Sequence, residues 1–293
     1  MREIGTERTH LRICRTIAFA LLSAVAFWNV GAARAQTGGD ENGAIELVDP
    51  KVFRVCADPH HLPFSNEAGE GFENKIAALL AQKLGKRLAY TYYPDTQGFI
   101  RNTLNALRCD VVMGIAQGNG MVQTTNPYYR TSFVLVTKKG SGLSGVDSLA
   151  DPKLKDKRLG LIAGTSPANY FVLHDLMDKA KTYPLVVDTR FSDSSRDMMN
   201  DLRSGVIDAA VLWGPIGGYL AKNSPVPMEV MPLVKDSGGP QLVYRICMGV
   251  RHTDQNWKRT LNKLIAANAP EIDAILRKYN VPMLSEKNVP ITR

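Results

Sequence analysis

The sequence predicts an α/β protein of two lobes, each a mostly parallel sheet flanked by helices, with two hinge crossings between them. Three observations carry this. Two successive strand–helix–strand–helix–strand sets, over residues 52–115 and 158–212, have short links. Such links dictate parallel strands with crossover helices. Two Gly/Ser-rich connectors, residues 139–145 and 235–240, mark where the pattern breaks. Finally, one apolar strand and two helices follow Pro240 without a sheet of their own, so they belong with the first set. Lobe 1 is then residues 51–138 with 241–293, and lobe 2 is residues 139–240. Such a body closes by bending around something held in its cleft.

The beginning of the chain reads as an export signal. Arg2, Arg8, Arg12 and Arg15 precede an apolar run over residues 16–28, and Ala33-Arg34-Ala35 offers small residues for cleavage before Gln36. The run is short for a membrane span, so a periplasmic protein without a membrane anchor is expected, cleaved after Ala35. Residues 36–50 are Gly-rich and polar, the composition of a disordered leader. Losing the signal removes five Arg and two Glu and lowers the formal charge from +8 to about +5. Lys153, Lys155, Lys157 and Arg158 are interrupted by Asp151 and Asp156, the pattern of a solvated face. No aromatic-interleaved basic stripe points to nucleic acid. Of the cysteines beyond the signal, Cys56 lies on the first strand and Cys109 heads another. A Cys56–Cys109 disulfide is expected, with Cys247 a buried core thiol.

In order, residues 52–57 read as a buried strand ending in the loop Asp58-Pro59-His60-His61-Leu62-Pro63-Phe64-Ser65-Asn66. Phe72, Ile76, Leu79, Leu80 and Leu84 give a helical stripe over residues 71–84, and Gly85 suits a left-handed stop. A strand at 88–93 and a helix at 98–107, with Phe99, Ile100, Leu104 and Leu107 inward, lead to a strand at 110–115. A turn at Asn126-Pro127-Tyr128-Tyr129 precedes a strand at 132–138. The second set reads as strand 158–162, helix 166–180, strand 185–189, helix 194–204 and strand 208–212. The strand 243–250 and helices 254–268 and 270–279 end the chain, with Asp254 as N-cap and Pro270 in a first turn.

The candidate functional residues lie in loops after strands, where open α/β sheets bind ligands. Asp58, His60, His61 and Phe64 occupy the first such loop, and Asn119 the loop after the third strand. Adjacent histidines on extended chain point opposite ways, so no metal is expected there. Glu67, Glu70 and Glu73 suit the positive end of the following helix. Gly164-Thr165-Ser166 opens a helix and either presents N–H groups to an anion or only caps it. Trp213 and Phe64 offer faces for a planar group or a partner side chain. No nucleophile-elbow motif, Cys/His pair or metal-ligand cluster appears, so neither enzyme activity nor a cofactor is expected.

These motifs in order resemble the periplasmic solute-binding proteins of the amino-acid type (family 3-like), whose fold is the type II periplasmic binding protein. The similar segments are Asp58 to Phe64, Asn126-Pro127-Tyr128-Tyr129, Leu159 to Ser166 and Gly205-Val206-Ile207-Asp208-Ala209-Ala210. In that family an Arg after the third strand grips a carboxylate and an Asp after lobe 2's last strand takes the ammonium. Here residues 114–122 hold no basic residue and Trp213 takes the other place. Leaving both charges of a zwitterion desolvated and unpaired is costly, so a free amino acid is not the expected ligand. The wording of Arg54 to Asp58, Leu62 to Asn66, Gly69 to Asn74, Arg108 to Gly114 and Val211 to Pro215 is similar to the MxaJ/MoxJ/XoxJ branch. That resemblance implies an accessory role in assembling or activating a periplasmic quinoprotein (PQQ-dependent) methanol dehydrogenase. The partner would be that dehydrogenase, with a small-molecule ligand possible in the cleft. The alternative is an ABC-transporter receptor for a small organic solute.

Overall fold

A computed structural model describes residues 46–187 and 192–291. The expected signal peptide and most of the leader lie outside the described residues. The elements run β1 (Val52–Ala57), β2 (His60–His61), β3 (Ser65–Asn66), α1 (Phe72–Leu84), β4 (Arg87–Tyr92), α2 (Phe99–Asn102), β5 (Val111–Ala116), β6 (Gln123–Thr124) and β7 (Tyr129–Lys138). Then come β8 (Leu159–Ile162), α3 (Pro167–Leu173), β9 (Ala180–Tyr183), α4 (Ser194–Ser204), β10 (Ala209–Trp213), α5 (Gly214–Lys222) and β11 (Met228–Pro232). The chain finishes with β12 (Val243–Val250), α6 (Gln255–Ala267) and α7 (Ala269–Lys278). The main sheet has the order β4-β1-β5-β12-β7-β10-β8-β9, with β11 on β7 and β6 on β12.

This is the two-lobed type II fold. In lobe 1, β4, β1 and β5 are parallel and β12 closes them antiparallel; in lobe 2, β10, β8 and β9 are parallel. Strand β7 serves both. Its residues Tyr129 to Ser132 pair with β12, and Phe133 to Thr137 pair with β10. The strand thus changes partner between Ser132 and Phe133.

Each lobe has its own apolar filling. Phe53, Phe72, Ile76, Leu80, Trp257, Leu261 and Leu276 lie in the first, and Leu135, Leu159, Tyr170, Phe171 and Val211 in the second. The stripe on α1 is the one its spacing predicts, and Gly85 closes it in the left-handed region at φ +62°. The bridge Cys56–Cys109 is formed and Cys247 is a buried free thiol.

Four expectations need correction. The helix at 98–107 stops at Asn102, where Thr103 leaves helical geometry at φ −121°, ψ −82°, and Leu107, at φ +61°, is 43% exposed rather than inward. The helix at 166–180 ends at Leu173; Asp175 is left-handed, and a 3-10 turn leads into β9 at Ala180. The strand expected at 185–189 is displaced to β9, whose residues Ala180, Lys181 and Thr182 give no apolar signal. An edge strand paired on one side needs none. Leu185 and Val186, which suggested a strand, are 58% and 79% exposed, while residues 188–189 lie outside the described residues. Asp254 makes no capping bond; the N-terminus of α6 is instead met by Glu46, whose Oε2 accepts from Trp257 N at 3.0 Å. Glu46 therefore ties the end of the expected leader to lobe 1. The chain also forms α5 and β11, which the sequence reading left without structure.

A buried ionic knot holds the pole of lobe 1. The fully buried carboxylate of Asp110 accepts from Arg54 Nε at 2.7 Å and Nη2 at 2.6 Å, and from Arg251 Nη2 at 2.8 Å. Arg251 Nη1 also donates to the Cys109 carbonyl, and Trp257 Nε1 to that of Asp110 at 3.0 Å. Removing the anion strands two guanidinium groups, one of them buried. Asp110→Ala is expected to cost about 3–5 kcal/mol, read from urea unfolding.

Candidate functional site

The parallel strands of both lobes point their carboxyl ends toward the hinge. Trp213, the last residue of β10, pairs with Phe133, while Ala116 at the end of β5 pairs with Ile246 near the start of β12. The loops carrying the predicted site residues therefore converge on the gap where the lobes meet.

At its base is an aromatic cluster. Trp213 meets Phe133 edge-on with ring centroids 5.2 Å apart, and Tyr244 at 5.5 Å. The three rings are partly buried, leaving surface for a bound group. Ser166, at the start of α3, reaches across the hinge to Tyr244, Oγ to hydroxyl 2.9 Å. Thr165 turns inward and donates to the Ile162 carbonyl at 2.7 Å, so its hydroxyl is used locally. Neither hydroxyl caps α3.

The first loop is folded upon itself. Asp58 is buried, and its carboxylate accepts from His60 N at 2.7 Å and Asp95 N at 2.6 Å. Its chemistry is thus committed to holding the loop. His60 is exposed, whereas His61 lies on the Phe64 ring at 4.8 Å, which continues to Phe72 at 5.2 Å. Asn119 accepts from Met121 N at 2.9 Å and shapes its turn. The structure joins Ser166 and Trp213 through Tyr244, His61 with Phe64, and His60 with Asp58; it gives Asn119 and Thr165 local roles.

Tyr244 and Phe133 were missed by the sequence reading because they sit within ordinary apolar strands. Glu73 was read only as a partner for the helix dipole. Its Oε1 is shut off from solvent and has no hydrogen-bond partner among the described residues. It lies against Gly114, where a β-carbon would come within 2.4 Å of it and φ is +72°, so only glycine fits. Burial, with a smaller contribution from Asp95, pushes the Glu73 carboxyl up to about 8. Asp95 is itself raised, by burial and by Asp58, with His61 opposing. Tyr128 and Tyr129, both buried beside Glu73, are pushed well above the usual phenol range. Tyr128 accepts from Gly114 N at 3.0 Å.

Glu73 is therefore protonated at neutral pH in the folded chain and ionised in the unfolded one. Folding binds that proton between the ordinary glutamate value and about 8. Stability from this group is fully present below the lower bound and is lost as pH rises through the window, by at most about 1.4 kcal/mol per pH unit. Glu73→Gln should flatten that fall in urea titrations taken across the window.

Among the described residues, no helix is long and apolar enough to cross a membrane, and no cluster of His, Cys, Asp or Glu could hold a metal ion. The model of bacterial extracellular solute-binding proteins, family 3, matches residues 53–282. Protein MoxJ of Methylorubrum extorquens AM1 is 28% identical over 274 residues, covering 87% of this chain and 90% of that protein. The crystal structure of periplasmic binding protein XoxJ from Methylobacterium extorquens AM1 is 41% identical. It matches with a TM-score of 0.69 over 80% of this chain and all of that one. MxaJ from Methylophaga aminisulfidivorans MPT is 25% identical with a TM-score of 0.70, over 79% of this chain and 100% of that one. An ancestral cationic amino acid solute-binding protein, 22% identical with a TM-score of 0.61, shares the fold. The chain thus belongs to family 3 of the bacterial extracellular solute-binding proteins, as a MoxJ-type member.

Proposed function

We propose that this protein is a periplasmic accessory factor that assembles or activates a PQQ-dependent methanol dehydrogenase, docking part of that enzyme in its cleft. The supporting observation is the base of the cleft. Where an amino-acid receptor places a carboxylate, Trp213 lies against Phe133 and Tyr244. The loop after β5 carries Gln117 and Asn119 and no guanidinium. An uncharged, aromatic base favours an apolar or aromatic side chain of a partner over a zwitterion, whose charges would go unpaired there. On this reading the chain catalyses nothing and needs no cofactor of its own. It reaches the periplasm by cleavage after Ala35, and its lobes, residues 51–132 with 243–293 and residues 133–242, bend about Ser132–Phe133 and Leu242–Val243.

The competing reading, delivery of a small organic solute to an ABC transporter, draws on the orphan oxygen of Glu73, which would suit a cationic group. Two measurements separate them. On the accessory reading, an immobilised protein retains the dehydrogenase, and adding it to the dehydrogenase produced without it raises methanol oxidation. Amino acids, alcohols and the quinone should then leave the melting temperature unchanged, whereas a true solute raises it by linkage. Trp213→Ala should weaken retention of the enzyme about tenfold or more, as loss of an aromatic anchor does. A dehydrogenase fully active without this chain overturns the proposal.

A further inference from the structure

Strand β7 carries β12 and then β11 along one edge, with Phe133 N donating to the Leu242 carbonyl and the Phe133 carbonyl accepting from Leu233 N, both at 2.9 Å, and β10 along the other. Its first residues are flanked by the segment after α7: Leu284 N donates to the Arg130 carbonyl at 2.9 Å, and Thr131 Oγ1 to that of Pro282 at 2.7 Å. Its later residues are flanked by β11, with Val230 opposite Val136 and Pro232 opposite Val134. Between these flanks, beside the hinge residues, lies a pocket of about 380 Å³. Val230 and Pro232 line it from lobe 2, and Val281, Met283 and Ile291 from lobe 1. The volume is in the lower range for small-molecule sites and suits a compact ligand rather than a folded partner.

The wall carries one charged residue, Arg277, and no acid. Among the described residues Arg277, the penultimate residue of α7 and exposed, has no ion-pair partner. Asn280, the neighbouring polar residue, is committed: its Nδ2 donates to the Gly218 carbonyl at 2.9 Å. A pocket lined by seven apolar residues, Asn280 and a single free guanidinium suits an apolar body bearing one carboxylate.

We infer that this hinge-side pocket is a second ligand site, separate from the cleft, for a small apolar monocarboxylate. Because both lobes build its walls, an occupant fits one hinge angle better than others and shifts the lobes toward that angle. The shift equals its difference in affinity between the two arrangements. The site thus offers control of cleft opening from outside the cleft, by a ligand unrelated to the cleft's own occupant.

The test uses octanoate on the purified protein, with octylammonium as the chain-matched cation, read by calorimetric titration and by melting temperature. Octanoate is expected to bind and raise the melting temperature, and octylammonium to do neither. Arg277→Glu and Ile291→Asp, both at exposed positions where folding is not at stake, should each weaken octanoate about tenfold or more. No octanoate binding, equal binding of both ions, or undiminished binding in both variants overturns the inference. So does loss of octanoate binding in Trp213→Ala, which would place the ligand in the cleft.

Discussion

One strand is the mechanical axis of this protein. Both lobes hydrogen-bond to β7, the first through β12 and the second through β10 and β11. Because β7 runs antiparallel to β10, and β12 antiparallel to β5, the parallel strands of each lobe are forced to end at the hinge. The cleft follows from that polarity. Loops after parallel strands are the binding loops of open α/β sheets, and here two sets face one another. The change of partner strand falls within one peptide, between Ser132 and Phe133.

Contacts beyond the ladder limit how the lobes move. Gly218 of α5 lies so close to the Asn280 carbonyl that a β-carbon would come within 2.0 Å of it. Tyr219 stacks on Tyr279 at 6.3 Å, and Lys222 Nζ donates to the Lys278 carbonyl at 2.6 Å. Ser166 and Tyr244 meet on the cleft side. Each contact is individually modest, yet together they bracket the hinge on two sides. The glycines of α5, which disguise it as a loop, are what let the lobes approach.

Charge is arranged in opposite ways at the two ends of lobe 1. At the pole, Asp110 is buried and paired with two arginines. Near the hinge, Glu73 is buried without a cation, and its carboxyl is raised instead. Glu73 has no paired cation to offset its desolvation, which is the physical reason its carboxyl is proton-linked. The cleft base avoids the problem by using aromatic rings, whose desolvation costs little.

The local grammar was legible in the chain. The apolar spacing and Gly85 define α1; strands β1 and β12 fall where their apolar runs begin and end; α4 matches its spacing. The pairing of Cys56 with Cys109 also agreed with their places on adjacent strands. Of the candidate site, the sequence nominated Trp213, Ser166, His61 and Phe64 by position in loops after strands. What it could not determine were facts of contact. Whether Asp58 faces a ligand or its own loop depends on where Asp95 N lies, 37 residues on. That Tyr244 completes the aromatic cluster, that β9 is polar because it is an edge, and that β7 changes partner in mid-strand all depend on neighbours brought together only by folding. Periodicity fixes which face of an element is apolar; the packing of one element on another decides what that face touches.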